Sequence, residues 1–220
     1  MLTFPAATTF GRRVPKQKFY QHLDVAAEVK RLFVEQVKLI TWANKLSAQT
    51  LNLAPGEHVQ EIEVFHIRLQ DQDLDERVCR LMDQQIPYHL LFWLERSDGL
   101  QRLQITYKEA SQSGHNAFQL RGSYQTDWTD PEDLTLDLTA LDLDGLYESI
   151  VRQIAGDAIS APQAESLKEA VEQTQAREKL EKQIAALRAK MRKEKNLGKQ
   201  MEIRREIIRL EEEIINVQRP

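Results

Sequence analysis

The stretch LEKQIAALRAKMRKEKNLGKQMEIRREIIRLEEEIINV, residues 180–217, divides the chain into a body and an arm. Leu180, Ile184, Leu187 and Met191 recur at spacings of 4, 3 and 4, and Ile203, Ile207, Leu210, Ile214 and Val217 at spacings of 4, 3, 4 and 3. Each series is the a/d seam of a coiled-coil helix. The two series do not share a register. Continuing the first one forward puts Glu194, Gly198 and Arg205 on the seam, and the twelve-residue step from Met191 to Ile203 is neither a stutter nor a stammer. A break is therefore predicted around residues 196–198, where Asn196 and Gly198 tolerate the left-handed backbone of a sharp helix end. This predicts two antiparallel helices joined near Gly198. The expected division is an α+β domain over residues 1–158 and a C-terminal coiled-coil arm over 159–220, with DAISAP at 157–162 as the linker.

Charge follows the same division. Residues 177–205 carry eleven Lys or Arg against four Glu, a net of +7, so that the remainder of a chain of net charge −4 carries −11. The positive charge gathers around the hairpin turn. Residues 127–148 contain eight carboxylates and no Lys or Arg, and Glu211, Glu212 and Glu213 return the end of the arm to acidic character.

Working back through the body, residues 1–23 read as irregular and basic, broken by Pro5 and Pro15 and carrying Arg12, Arg13, Lys16 and Lys18. A helix capped by Asp24 is predicted to run to about Leu46, on the recurrence of Val29, Leu32, Phe33, Val37, Ile40, Trp42 and Leu46. EIEVFHIRL at 61–69 reads as a strand with Glu61 and Glu63 on the face of Phe65, Ile67 and Leu69. A short helix follows, capped by Asp71 or Asp73, carrying Leu74, Val78, Leu81 and Met82 on one side and ended by Pro87. Residues 88–95 and 100–108 flank Asp98-Gly99, a strong hairpin signal, and 118–126 is a further strand. Residues 145–155 form a helix capped by Asp144. The order implies an α+β body, an antiparallel sheet of about four strands with flanking helices.

Several classes are excluded. There is no signal-peptide pattern at the N-terminus and the longest apolar run, 90–94, is far too short to span a bilayer, so a soluble, cytoplasmic protein is expected. The single cysteine, Cys79, allows neither an intramolecular disulfide nor a thiolate-rich metal site and reads as a small core thiol. No Gly-rich phosphate loop and no Gly-x-Ser-x-Gly elbow occurs, so the chain is not itself an ATPase or a serine hydrolase of that type. Any ATP would be used by a partner. The five histidines, His22, His58, His66, His89 and His115, include no pair at the i, i+4 spacing of a helical zinc site, although His66 and His89 are able to meet across neighbouring strands. No cofactor and no metal site is expected.

VPKQKFY at 14–20, the helix with Leu32, Phe33 and Trp42, EIEVF at 61–65, Ile86-Pro87-Tyr88 and LEKQIAAL at 180–187 together resemble the bacterial family called domain of unknown function 4391. The resemblance covers nearly the whole chain. It implies no activity, cofactor or catalytic residue. It does imply a genomic association with helicase-like ATPases and DNA methyltransferases of restriction or phage-defence type, and so a nucleic-acid-processing setting.

The best candidate surface is the basic turn, where Arg188, Lys190, Arg192, Lys193, Lys195 and Lys199 offer clustered cations for phosphate. With no aromatic residue between Tyr147 and Pro220, contact would be with DNA or RNA backbone rather than with bases. Ile203, Ile207, Leu210 and Ile214 are the candidate partner-binding residues, as exposed a/d positions. The N-terminal cations form a second candidate contact, with Phe19 and Tyr20 as core anchors, and the acidic block reads as a solvated loop and cap. The expected function is a non-catalytic accessory or adaptor subunit that docks through the arm. Two alternatives stand beside it: a metal-dependent phosphodiesterase or nuclease built on Glu61, Glu63, Glu95 and Lys108, and a homodimeric coiled-coil scaffold.

Overall fold

The computed structural model describes residues 1–20, 25–111, 118–159 and 166–217. Asp24, His22, His115, residues 160–162 of the expected linker and the side chain of Val217 lie outside the described residues. The chain divides into two compact units, Met1–Gly156 and Asp157–Pro220.

The first unit is an α+β body on one mixed sheet. Its elements are β1 (Thr9–Val14), α1 (Ala27–Gln36), β2 (Val37–Ser47), α2 (Ala48–Leu51), β3 (Glu61–Leu69), α3 (Glu76–Gln85), β4 (His89–Glu95), β5 (Gln101–Ala110), β6 (Phe118–Gln125) and α4 (Leu143–Ala155). The six strands lie side by side in chain order. All neighbours are antiparallel except β3 and β4, which run parallel with α3 as the crossover between them. The sheet is therefore larger than the four strands expected and not purely antiparallel.

The two additional strands come from regions whose sequence hides them. Residues 37–47 continue a helical spacing of apolar residues, yet α1 stops at Gln36 and the chain turns directly into β2. Tertiary pairing overrides the helical pattern here, because β2 is hydrogen-bonded to β1 on one side and β3 on the other while Val37, Ile40 and Leu46 become fully buried. Lys16 secures the junction by donating from Nζ to the carbonyls of Val34 and Val37 at 3.1 and 2.8 Å, capping the end of α1. β1 is an edge strand with little buried surface, and Gly11, at φ +64°, sits in a bulge where the register shifts between Thr9 and Arg12.

Helices cover the two faces of the sheet. Leu32 and Phe33 of α1 and Val78, Cys79 and Met82 of α3 join Phe65, Ile67, Leu69, Leu90, Phe92 and Leu94 in one cluster. Cys79 is buried within it, and Phe19 and Tyr20 anchor the N-terminal segment to the same cluster. The cap of α3 is Asp75, not Asp71 or Asp73: its side chain accepts from the Arg77 amide at 3.0 Å. α4 contributes buried Leu146, Tyr147, Ile150, Val151 and Ile154 to the other face, and its cap is Asp142 rather than Asp144. Asp144 instead accepts from the backbone amides of Glu57, His58 and Val59, tying the loop before β3 to α4. Asp98-Gly99 makes the turn between β4 and β5 as predicted, with Gly99 at φ +93°.

The second unit holds α5 (Leu167–Lys193) and α6 (Leu197–Val217), an antiparallel helical hairpin. Among the described residues no helix is long and apolar enough to cross a membrane.

Candidate functional site

The four residues considered for a metal-dependent nuclease do not come together. Glu61 and Glu63 lie at the start of β3, where Lys45 Nζ meets Glu61 Oε2 at 2.7 Å and the Trp42 indole donates to Glu63 Oε2 at 2.6 Å. Glu95 belongs to the opposite face of the sheet: it meets His66 Nε2 at 2.8 Å, and the His66 ring stacks on Trp93 at 4.1 Å between centroids. Lys108 is two strands away from Glu63 and is buried with Asp83 of α3 at 2.9 Å. His66 and His89 do not meet either, because the register pairs them with Trp93 and Ile62. Among the described residues no three His, Cys, Asp or Glu side chains converge on a position able to hold a metal ion.

The Lys108 site is a finished tie between α3 and β5. Its ammonium donates to the Asp83 carbonyl at 3.0 Å and the Tyr88 carbonyl at 2.8 Å and forms an ion pair with Asp83 Oδ1. Thr106 donates to the second Asp83 oxygen at 2.6 Å, and the Tyr147 hydroxyl accepts from the Lys108 amide and donates to the Thr106 carbonyl. Burial pushes the Asp83 carboxyl up and the Lys108 ammonium down, while their mutual attraction opposes both shifts. His89 packs edge-on against Tyr147, and burial, with Lys108 nearby, lowers its pKa to about 4.

The Glu61–Glu63 pair has a different character. Glu63 is 1% exposed, and burial lifts its carboxyl to about 7, helped by the neighbouring Glu61 carboxyl and opposed by the Trp42 hydrogen bond. Glu61 is two residues away on the same strand and is held by Lys45, so the buried Glu63 carboxyl is the one whose protonation reaches toward neutral pH.

The arm is organised around its buried seam. Leu180, Ile184, Leu187 and Met191 of α5 pack against Ile203, Ile207, Leu210 and Ile214 of α6, the two series identified by spacing. The residues assigned to partner binding are thus spent within the hairpin: Ile203 is 7% exposed and Ile207 and Leu210 are 6% exposed. In an antiparallel hairpin each helix supplies the apolar cover the other needs, so most of this surface is already covered, with Ile214 only partly buried.

The turn also differs in detail from the expectation. It needs no left-handed residue, since none of the positive-φ positions among the described residues lies in the arm and Gly198 is inside the first turn of α6. Residues 194–196 make the connection. Asn196 caps α6 by accepting from the Lys199 amide at 3.2 Å, and Glu194 accepts from the Asn196 amide at 2.9 Å, which holds its carboxyl below the usual range. Arg188, Lys190, Arg192, Lys193, Lys195 and Lys199 are all exposed, with Arg188 paired to Glu211 across the hairpin at 2.7 Å.

Opposite the seam lies a feature that spacing had not singled out. Of the eight large apolar side chains most exposed among the described residues, four are on α6: Leu197 at 71%, Met201 at 53%, Ile208 at 46% and Ile215 at 50%. Met201, Ile208 and Ile215 are seven residues apart and form one stripe along the helix. Their signal in the sequence is the doublets Ile207-Ile208 and Ile214-Ile215: adjacent residues stand about 100° apart on a helix, so a seam that takes one leaves the other outside. Beside the stripe an open groove of about 580 Å³ is lined by Arg188, Arg192 and Arg204 together with Met191, Leu197, Met201 and Ile208.

The described residues thus form an α+β body and a helical hairpin whose second helix keeps an exposed apolar stripe. The chain belongs to the family described as domain of unknown function (DUF4391), whose model matches residues 2–214 and so takes in both units. Neither curated proteins nor solved structures give a match.

Proposed function

We propose that the protein is a non-catalytic accessory or adaptor subunit of a nucleic-acid-processing assembly of restriction or phage-defence type, and that the arm is its assembly element. The observation that carries this reading is the stripe of Leu197, Met201, Ile208 and Ile215, apolar surface on a helix whose other face is already buried. Aliphatic side chains in water at a heptad spacing gain free energy when a further helix covers them, at about 25 cal/mol per Å² removed from water. The nucleic-acid setting rests on the family association, to which the exposed cations of the turn are suited.

The test is capture of the tagged full-length protein from its host, with nuclease treatment, for the wild type and for Met201→Asp/Ile208→Asp. A defined set of proteins that survives nuclease with the wild type and is lost with the variant supports the reading. The same set with both proteins overturns the role of the arm.

A further inference from the structure

We infer that the helix covering the α6 stripe is α6 of a second copy of this chain, packed antiparallel about a two-fold axis near Ile208. This rests on the reading of the arm as an assembly element and names its partner. The argument is one of self-complementarity. Along α6 the stripe runs through two segments of opposite charge: residues 197–207 hold Lys199, Arg204 and Arg205 against Glu202 and Glu206, and residues 208–217 hold Glu211, Glu212 and Glu213 against Arg209. Arg192 of α5 reaches the same groove as Arg204 and adds to the first segment, while Arg188 is paired with Glu211 of the second.

The occupant that fits such a surface is an amphipathic helix with an acidic flank at one end and a basic flank at the other. The chain itself carries that helix. Antiparallel pairing centred on Ile208 sets Ile208 against its counterpart, brings Met201 toward Ile215 of the second copy, and lays Arg204 and Arg205 alongside Glu212 and Glu211 of the second copy. Because the pairing is isologous, each favourable contact occurs twice. Parallel pairing instead places basic segment on basic segment and acidic on acidic, which costs free energy in each half. The product is a four-helix bundle with the two seams of α5 on α6 outside and the α6 stripes between them. Other subunits of the assembly then bind only the paired arms, so a variant that cannot pair loses them with the second copy.

The test uses the full chain at micromolar concentration. Light scattering is expected to give twice the 25.6 kDa chain mass for the wild type and the single-chain mass for Met201→Asp/Ile208→Asp, with unchanged far-UV circular dichroism. The orientation is read from disulfides, since the native Cys79 is buried and does not compete. Met201→Cys mixed with Ile215→Cys is expected to cross-link between the two variants, and neither variant is expected to cross-link alone. Cross-linking of Met201→Cys to itself overturns the antiparallel arrangement. A wild-type monomer overturns the dimer altogether. In that case the assembly reading still stands if Met201→Asp/Ile208→Asp loses its nuclease-resistant partners, and falls as well if it keeps them.

Discussion

The body and the arm solve the problem of covering apolar surface in opposite ways. In the body, both faces of the sheet are covered by helices, and the polar groups drawn inside, Asp83, Lys108, Thr106 and the Tyr147 hydroxyl, are tied to one another or to backbone. In the arm, one face of α6 is buried in the hairpin and another is left open, and its ion pairs, such as Arg188 with Glu211, lie in solvent. The lesson is that covered surface and uncovered surface answer to different experiments, the first to unfolding and the second to binding. A buried charge is a structural commitment here, while the exposed apolar stripe is the surface on which the proposed assembly role rests.

The sharpest way to break this contrast is at Lys108. Lys108→Ala leaves Asp83 buried without its cation and is expected to destabilise the body by about 3–5 kcal/mol. All three tryptophans, Trp42, Trp93 and Trp128, lie in the first unit, so denaturant unfolding followed by tryptophan fluorescence reads the body alone. Replacing both partners, Asp83→Leu with Lys108→Met, is expected to recover much of that loss, because an apolar pair leaves no charge unpaired. A loss below about 1 kcal/mol for Lys108→Ala is the result that breaks the picture of a dry tie.

Adjacent residues of α6 sharpen the comparison within the arm. Ile207→Ala opens the seam and is expected to cost about 2 kcal/mol of arm stability, seen as earlier loss of helical circular dichroism. Ile208→Ala, measured where the protein is monomeric, is expected to change stability by no more than about 0.5 kcal/mol. Equal effects at the two positions would erase the distinction between buried seam and open stripe.

Glu63 supplies a pH dependence. Its folded pKa of about 7 lies above the ordinary carboxyl value of 4.5, so the folded body holds a proton that the unfolded chain releases between those limits. Its contribution to stability is therefore greatest below the unfolded value and is lost as pH rises through about 7, by ~3 kcal/mol. His89, lowered to about 4 from 6.5, acts in the opposite sense: its contribution is present above 6.5 and is lost as pH falls. The difference in stability between wild type and Glu63→Gln isolates the first effect. That difference is expected to move against the wild type from pH 5 to pH 8, and a flat difference would show that Glu63 is ionised throughout.

The smallest expected effect on stability is at the turn. Charge reversal at Arg192, Lys193 and Lys195 is expected to leave the unfolding free energy within about 0.5 kcal/mol, since all three are exposed. If the turn contacts phosphate, the same variant binds DNA or RNA more weakly, with a shallower salt dependence. Equal binding by variant and wild type removes the turn from nucleic-acid contact.

How far the sequence could be read depended on the range of the interactions involved. The seam of the arm was legible because Leu180, Ile184, Leu187 and Met191 sit one helical turn apart, and backbone geometry alone puts them on one face. The Asp98-Gly99 turn was legible for the same local reason. β2 was not, because Val37, Ile40 and Trp42 suit a helix face as well as a strand, and β1 was not, because an edge strand with so little buried surface shows no alternation. The candidate nuclease set failed for a related reason. Glu61, Glu63, Glu95 and Lys108 were grouped by residue type on strands whose faces and neighbours the sequence does not state, and the sheet assigned them to three separate settings.

By itself the sequence determined the α+β class, the buried thiol, the hairpin arm with its two seams, the basic turn and the family resemblance. Each of these follows from periodicity, composition or motif, which act over a few residues. Only the tertiary structure decided that β3 and β4 run parallel, that Asp83 and Lys108 meet across 25 positions of chain, that Glu63 is the buried acid of its pair, and that α6 keeps Leu197, Met201, Ile208 and Ile215 in solvent. Those outcomes depend on which distant segment supplies hydrogen bonds and which face is left when the others are covered. That competition is settled between elements and not within any one of them.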